Sequence, residues 1–318
     1  MASFLGIDLS KETFHACLLD DHAEAKKAFP NTSKGFEQLT AWLGNRHAVD
    51  VHICMEATGA YWEALASYLH GLEQRLSVVN PARIKAFAQS ELLRTKTDEV
   101  DAALIARFCK SQSPEPWVPP PAEIRILQAL MRHYEHLKTT RAQQSVYAQS
   151  SGAALVTASI AEVIATLDEQ IAHVERKIRQ HFDDHPDLKR QRDLLTSIPG
   201  IGETTAGSIL SEIPHLDRFQ SAKAVAAFAG LSPRERRSGT SIHGRSRLCK
   251  TGNARVRKAL YMPAMVALRF NPTLRSFAER LLAAGKHKRL VIGAVMRKLL
   301  VLAYGILRSG VAFDANYA

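Results

Sequence analysis

Short apolar runs broken by polar turns fill the first quarter of the chain, and apolar residues at helical spacing fill most of the remainder. Phe4-Leu5-Gly6-Ile7-Asp8 is a strand-like run ending on a carboxylate. Thr13 to Leu19 reads as a second strand after the polar Ser10-Lys11-Glu12 turn, so the two form a hairpin. A polar third strand is expected near Ala23 to Ala28. From Ser33 to Leu43, the side chains of Phe36, Leu39 and Leu43 fall on one helical face. Val49 to Met55 predicts a fourth strand ending at Glu56, Thr58 to His70 a helix, and Leu76 to Val79 a fifth strand stopped by Asn80-Pro81, with one more helix after it.

Three meandering strands followed by strands joined through helical crossovers specify an α/β domain with a mixed sheet, in the order of the ribonuclease-H-like fold. The proline-dense stretch 113–121 can neither continue a helix nor sit inside a sheet, and reads as a semi-rigid linker. It separates a first domain, 1–112, from a helical region, 122–192. There Ala122 to Gln149 and Ser159 to Phe182 are long helices. In the second of them Ile160, Ile164, Leu167, Ile171, Val174 and Ile178 recur at alternating spacings of four and three, the heptad signature. Two outcomes fit that stripe: a coiled coil between chains, or an antiparallel hairpin of the two helices. The last domain, 193–318, reads as mainly helical, with a final helix from Leu290 to Leu307 and its basic residues gathered in one irregular stretch.

Charge changes the picture. The 318 residues carry a net charge of +11, yet 1–230 hold 24 basic and 28 acidic side chains while 231–318 hold 18 and 3. So large a local surplus repels itself unless a polyanion accepts it, and nucleic acid is the indicated partner. The four cysteines form no C-x-x-C pair, which excludes a zinc ribbon and argues against a disulfide framework; all four read as buried thiols. No apolar run reaches the length of a membrane span, so a soluble cytoplasmic protein is expected, associated with the nucleoid through DNA.

Four acids carry candidate chemistry. Asp8 and Glu56 end the first and fourth strands, which are neighbours in this strand order. Asp98 and Asp101 share one face of a helix in Thr97-Asp98-Glu99-Val100-Asp101. Carboxylates gathered in this way repel one another unless hard cations bridge them, and oxygen donors select Mg²⁺ or Mn²⁺. Two such ions, about 4 Å apart, clamp the attacking and leaving oxygens of a phosphodiester. Arg94 and Lys96 stand close by in sequence, suited to holding the scissile phosphate. A second element, Ile198-Pro199-Gly200-Ile201-Gly202, matches a helix-hairpin-helix, in which Gly200 and Gly202 allow a tight turn and free helix amides face a phosphate. The third is 233–258, where Arg234, Arg236, Arg237, Arg245, Arg247, Lys250, Arg255, Arg257 and Lys258 face one acid among glycines, as in a flexible loop built for a polyanion. A serine in that setting either attacks a phosphate or, like Ser238, Thr240, Ser241 and Ser246 together, hydrogen-bonds to one.

Gly6-Ile7-Asp8, Met55-Glu56-Ala57-Thr58-Gly59, Asn80-Pro81, Lys96-Thr97-Asp98-Glu99-Val100-Asp101, Ser197-Ile198-Pro199-Gly200-Ile201-Gly202, Phe228-Ala229-Gly230-Leu231-Ser232-Pro233, Ser238-Gly239 and Lys250-Thr251-Gly252-Asn253 together resemble the DEDD transposases of insertion-sequence family one-ten, relatives of the Piv invertases. The resemblance runs over nearly the whole chain. It implies a RuvC-like first domain, a coiled-coil middle and a transposase domain with a catalytic serine, matched here by Ser238 with Ser241 as the alternative. It makes Asp8, Glu56, Asp98 and Asp101 the metal-binding quartet. It also implies donor and target DNA as substrates and a bridge RNA as guide; a homo-oligomer, a dimer with a tetramer in the synaptic complex, is expected through the stripe from Ile160 to Ile178. Three rivals are weighed: a junction nuclease that uses water, an actin-like ATPase or sugar kinase, which lacks the later glycine-rich adenosine loop it needs here, and a catalytically silent DNA-packaging protein.

Overall fold

The computed structural model of the chain describes residues 3–20, 23–48, 50–93, 97–214, 216, 219–238 and 242–315, apart from the side chains of 235–238 and 242–246. Strand β1 (Ser3–Leu9) turns at Ser10, whose hydroxyl donates to the Thr13 carbonyl at 2.7 Å, into the antiparallel β2 (Thr13–Leu19). β3 (Glu24–Pro30) pairs antiparallel on the far side of β2. Helix α1 (Ser33–Gly44), capped by the Thr32 side chain, carries the chain over to β4 (Val51–Glu56), which runs parallel to β1 with Met55 beside Ile7. α2 (Glu63–Gly71) leads to β5 (Leu76–Val79), parallel to β4, and α3 (Pro81–Ser90) and α4 (Asp98–Gln112) complete the series. The sheet order is β3-β2-β1-β4-β5, the expected ribonuclease-H-like mixed sheet. Alternation along the strands sorts their side chains. Leu5, Ile7, Phe14, Ala16, Ile53 and Met55 meet α1 and α2 on one face, while Cys17, Cys54, Ala102 and Leu104 lie in clusters formed with α4 on the other.

Two helix starts differ most from the sequence reading, other boundaries by one or two residues. α2 begins at Glu63 and not Thr58, because the Thr58 hydroxyl donates to Glu56 and Gly59 takes a left-handed φ of +61°, making a turn of the intervening residues. The second long helix begins at Ala154, ahead of Ser159. The proline-dense stretch is pinned to the sheet's edge: the Trp117 amide donates to the Leu76 carbonyl at 2.6 Å, and Ser77 Oγ donates to that of Pro114 at 2.9 Å.

The chain divides between Pro119 and Pro120 into two units. In the second, α5 (Ala122–Ser150) and α6 (Ala154–Asp184) pack antiparallel, with Tyr134 Oη donating to Glu175 at 2.7 Å and Arg141 Nε to Asp168 at 3.0 Å. Val174 is buried with Tyr134 and Leu137, and Leu167, Ile171 and Ile178 pack against them. The heptad stripe is therefore consumed largely within the chain, as a helical hairpin. α7 (Pro186–Thr196), α8 (Glu203–Glu212), α9 (Ala222–Phe228), α10 (Ala254–Phe270), α11 (Pro272–Ala283) and α12 (Lys288–Ser309) follow. By length and composition α12 could cross a membrane, but Val291, Val295, Leu299, Leu300 and Ala303 bury one of its faces in the core of this unit. A fully buried side chain of the Val or Leu kind contributes about 2 kcal/mol, so α12 is a core helix.

The irregular basic loop is a correction. It folds as β6 (Pro233–Ser238) and β7 (Ile242–Leu248), an antiparallel two-stranded ribbon with a bulge between Arg234 and Arg236, and its end, from Ala254, is the start of α10. Asn253 ends the stretch by capping α10, its side chain accepting from the amides of Arg255 and Val256.

Candidate active site

The geometry of the acids begins at Gly6. A Cβ there would overlap the Ala102 carbonyl oxygen and the Ala106 amide nitrogen, so the backbone of α4 lies directly on β1. Only glycine permits that approach. Asp8, two residues on, shares the face of Gly6, and parallel pairing of Ile7 with Met55 sets Glu56 beside it on β4. Both side chains are half-buried, and Glu56 Oε1 accepts from the Thr58 hydroxyl at 2.6 Å. α4 begins one turn before its contact with Gly6. Thr97 Oγ1 caps it by accepting from the Val100 amide at 3.3 Å, which places Asp98 and Asp101 in its first turn. Carboxylates there are favoured by the positive end of the helix dipole.

His15 is the residue that sequence reasoning missed. It pairs with Asp8 across the hairpin, and its Nε2 stands 3.6 Å from Asp98 Oδ2, linking the helix acid to the sheet. The turn at Ser10-Lys11-Glu12, traced through the register, was the available signal. Oxygen-rich donors of this kind suit a hard divalent cation. As placed, no three His, Cys, Asp or Glu side chains among the described residues gather closely enough to hold one ion. The fold brings the acids to one end of the sheet.

In the second unit Ser238 is the last residue of β6, its backbone paired with Ile242. Ser241, Arg94 and Lys96 lie outside the described residues, as do the side chains of Ser238, Arg236, Arg237 and Arg245. Arg234 and Arg247 are exposed and face each other across the ribbon; Lys250, Arg255 and Lys258 are exposed beyond it, with Lys258 paired to Glu135. Arg257 Nη1 donates to the carbonyls of Ala229 and Gly252, at 3.0 and 3.1 Å, closing the base of the ribbon. At the turn between α7 and α8, expected as a helix-hairpin-helix, Gly202 is the exposed N-cap of α8, whereas Gly200, at φ +111°, packs against α10, where a Cβ would come within 2.7 Å of Ala267 Cβ. That makes Gly200 a packing position.

The thiols differ in the same way. Burial pushes Cys17 up to about 12. The hydrogen bond with Cys109, together with burial, raises Cys54. Cys249 is lowered by hydrogen bonds from Thr251 and by the nearby charges of Arg234 and Arg257. It is half-buried, whereas the other three are fully so.

Residues 5–151 match the DEDD transposase family model of IS110, and residues 192–279 match the model of the IS116/IS110/IS902 transposase family. The chain is 36% identical to the pilin gene-inverting proteins of Moraxella lacunata and Moraxella bovis, over 98% of each chain in both cases. It is 25% identical to the transposase for insertion sequence element IS1328 of Yersinia enterocolitica, again over 98% of each chain. A ribonuclease-H-like sheet with acids at one end, followed by a helical basic unit, defines an enzyme of the transposase and recombinase class. The chain belongs to the IS110 family of DEDD transposases. Membership brings with it DNA as the substrate class and the general use of divalent metal.

Proposed function

We propose that the protein excises and inserts a mobile DNA element, or inverts one, by cutting and rejoining strands through a phosphoserine link, with a bridge RNA choosing donor and target. The observation that carries the reading is that Asp8 and Glu56 each follow directly on the last paired residues, Ile7 and Met55, of neighbouring parallel strands, beside a helix whose first turn holds Asp98 and Asp101. Those four residues would hold the Mg²⁺ or Mn²⁺, which when bound supplies positive charge against the attacking and leaving oxygens. Ser238 Oγ attacks the phosphorus. The new Oγ–P bond replaces the P–O bond to the departing deoxyribose oxygen, which takes up a proton as the serine gives one to solvent. A hydroxyl of the incoming strand then displaces the serine, so the exchange conserves the phosphodiester. Arg234 and Arg247, exposed on the ribbon, suit backbone phosphates rather than bases, and guide pairing would supply the sequence choice that such contacts lack. Val146, Tyr147, Leu155 and Val156, apolar and exposed near the closed end of the α5–α6 hairpin, support self-association as a dimer and, in the synaptic complex, a tetramer.

The test is a denaturing-gel assay for protein–DNA adducts with Ser238→Ala, Ser241→Ala and Asp8→Asn in the full chain. Ser238→Ala is expected to abolish the adduct and strand transfer, and Asp8→Asn to abolish both with folding intact. Continued cutting by Ser238→Ala without any adduct would instead identify a water-using nuclease, and loss of the adduct only in Ser241→Ala would move the nucleophile. A discrete RNA co-purifying with protein expressed beside its flanking DNA is expected; recombination that proceeds without it ends the guided reading.

A further inference from the structure

The ribbon's two feet, 228–232 and 249–253, are zipped together. The amides of Cys249, Lys250 and Asn253 donate to the carbonyls of Ser232, Gly230 and Phe228 at 2.9, 3.1 and 2.7 Å. Gly252, at φ +136°, lets the strands of this clasp touch, since a Cβ there would overlap the Phe228 carbonyl oxygen. From the clasp one side chain reaches into the helical body: Asn253 Nδ2 donates to Glu212 Oε2 at 3.0 Å. Glu212 ends α8, is only 9% exposed, and accepts from Arg132 Nε of α5 on its other oxygen at 3.1 Å. A carboxylate this buried, with both oxygens engaged, is costly to disturb. It ties α5, α8 and the ribbon's feet at a single point.

We propose that Glu212, acting through Asn253, is a positioning residue for strand transfer: it sets the feet of the ribbon that ends in Ser238, and its loss slows serine attack without weakening DNA binding. The inference rests on the reading of Ser238 as nucleophile. A misplacement of about 1 Å costs on the order of 100-fold in rate, and a ribbon pivoting on loosened feet moves its tip by more than its base. The pair also offers a reciprocal exchange. Glu212→Gln alone leaves an amide facing either Arg132 or Asn253 with the wrong polarity. Asn253→Asp alone sets two carboxylates against each other while still capping α10. When Glu212→Gln and Asn253→Asp are combined, the new amide at position 212 donates to the new carboxylate at position 253. The hydrogen bond is then reversed rather than lost, and the carbonyl of the new amide still accepts from Arg132.

The experiment uses the full chain with the two single variants and the double variant. It measures amide hydrogen exchange at Cys249, Lys250 and Asn253, the single-turnover rate of adduct formation on a duplex carrying the element's ends, and affinity for that duplex. Each single variant is expected to speed exchange at the feet and slow the adduct by roughly 10- to 100-fold, with affinity held within about twofold; the double variant recovers both exchange and rate. Unchanged exchange and rate in the single variants would overturn the proposal. So would affinity falling in step with rate, or a double variant no better than the worse single one. If Ser238→Ala still forms the adduct, the nucleophile reading falls, while exchange at the feet still decides whether Glu212 and Asn253 hold the ribbon.

Discussion

Asp8 and Glu56 stand on strands that have hydrogen-bonded neighbours on both sides and apolar clusters on both faces; Ser238 ends a ribbon of two strands whose sequence, Pro-Arg-Glu-Arg-Arg-Ser and Ile-His-Gly-Arg-Ser-Arg-Leu, has almost no apolar face to bury. An isolated two-stranded hairpin is marginal in water. The first unit thus holds its candidate residues by packing, and the second by polar clasps at the ribbon's base. Packing is stiff and fails all at once, whereas clasps can loosen while the rest of the unit stays folded. On the proposed mechanism that division is useful: the acids would keep a fixed geometry, and Ser238 would have to engage and release DNA.

The sharpest way to break the comparison is to add one methyl group in each unit. Gly6→Ala forces backbone against backbone between β1 and α4, where neither partner is a flexible side chain. It is expected to cost about 3 kcal/mol or more, to lower the melting midpoint of the first unit, and to abolish metal-dependent cutting. Gly252→Ala meets both a left-handed φ of +136° and the Phe228 carbonyl, but at a surface clasp. A cost of about 1 to 3 kcal/mol is expected there, with strand transfer lost while the first unit melts as before. Gly44→Ala, where nothing stands within 4 Å of the added atom, is the control. Calorimetry that showed Gly6→Ala no worse than Gly44→Ala would remove the packing account of the acids.

A smaller effect is expected at Thr97. Thr97→Ala removes the cap on the Val100 amide and should cost about 1 kcal/mol. Because the frayed turn is the one that bears Asp98 and Asp101, the Mg²⁺ concentration needed for half-maximal cutting should rise while the rate at saturating Mg²⁺ changes little. A normal Mg²⁺ midpoint in a destabilised variant would separate the cap's role in folding from any role in placing the acids.

The same physics decides how much was legible in the sequence. The strand order was readable because β1, β2, β4 and β5 are apolar runs with polar stops, and Asp8 and Glu56 stood at two of those stops. The approach of Asp98 and Asp101 was legible only as a shared helical face; what puts that face over Asp8 is the contact of Gly6 with Ala102 and Ala106, which no local pattern announces. His15 was hidden because its role depends on pairing across a turn. The ribbon was hidden for the opposite reason: arginines alternating with serines and glycines give a sequence polar at nearly every position, so the period-two signal that marks a strand has no apolar phase. Arg257 looked like one more phosphate ligand, and its two carbonyl partners became visible only once the loops on either side of the ribbon were brought together.

Thiol reactivity offers the mildest probe and the one that tests both units in a single tube. At pH 8, iodoacetamide is expected to modify Cys249 first, since its lowered pKa holds more thiolate than an ordinary cysteine does and it is partly accessible. Lowering the pH should therefore slow Cys249 later than it slows a free thiol. Cys17, pushed up to about 12 by burial, and Cys54, raised by its bond to Cys109, should react only on unfolding, and Cys109, though lowered to about 6 by that bond, is shielded by complete burial. Gly6→Ala should then expose Cys17 and Cys54, which lie on the face that α4 covers, and leave the rate at Cys249 unchanged. Gly252→Ala, one residue from Thr251, should alter Cys249 and spare the other three. If all four thiols instead became reactive together in either variant, the two units would be unfolding as one, and packing in the first could no longer be set apart from clasping in the second.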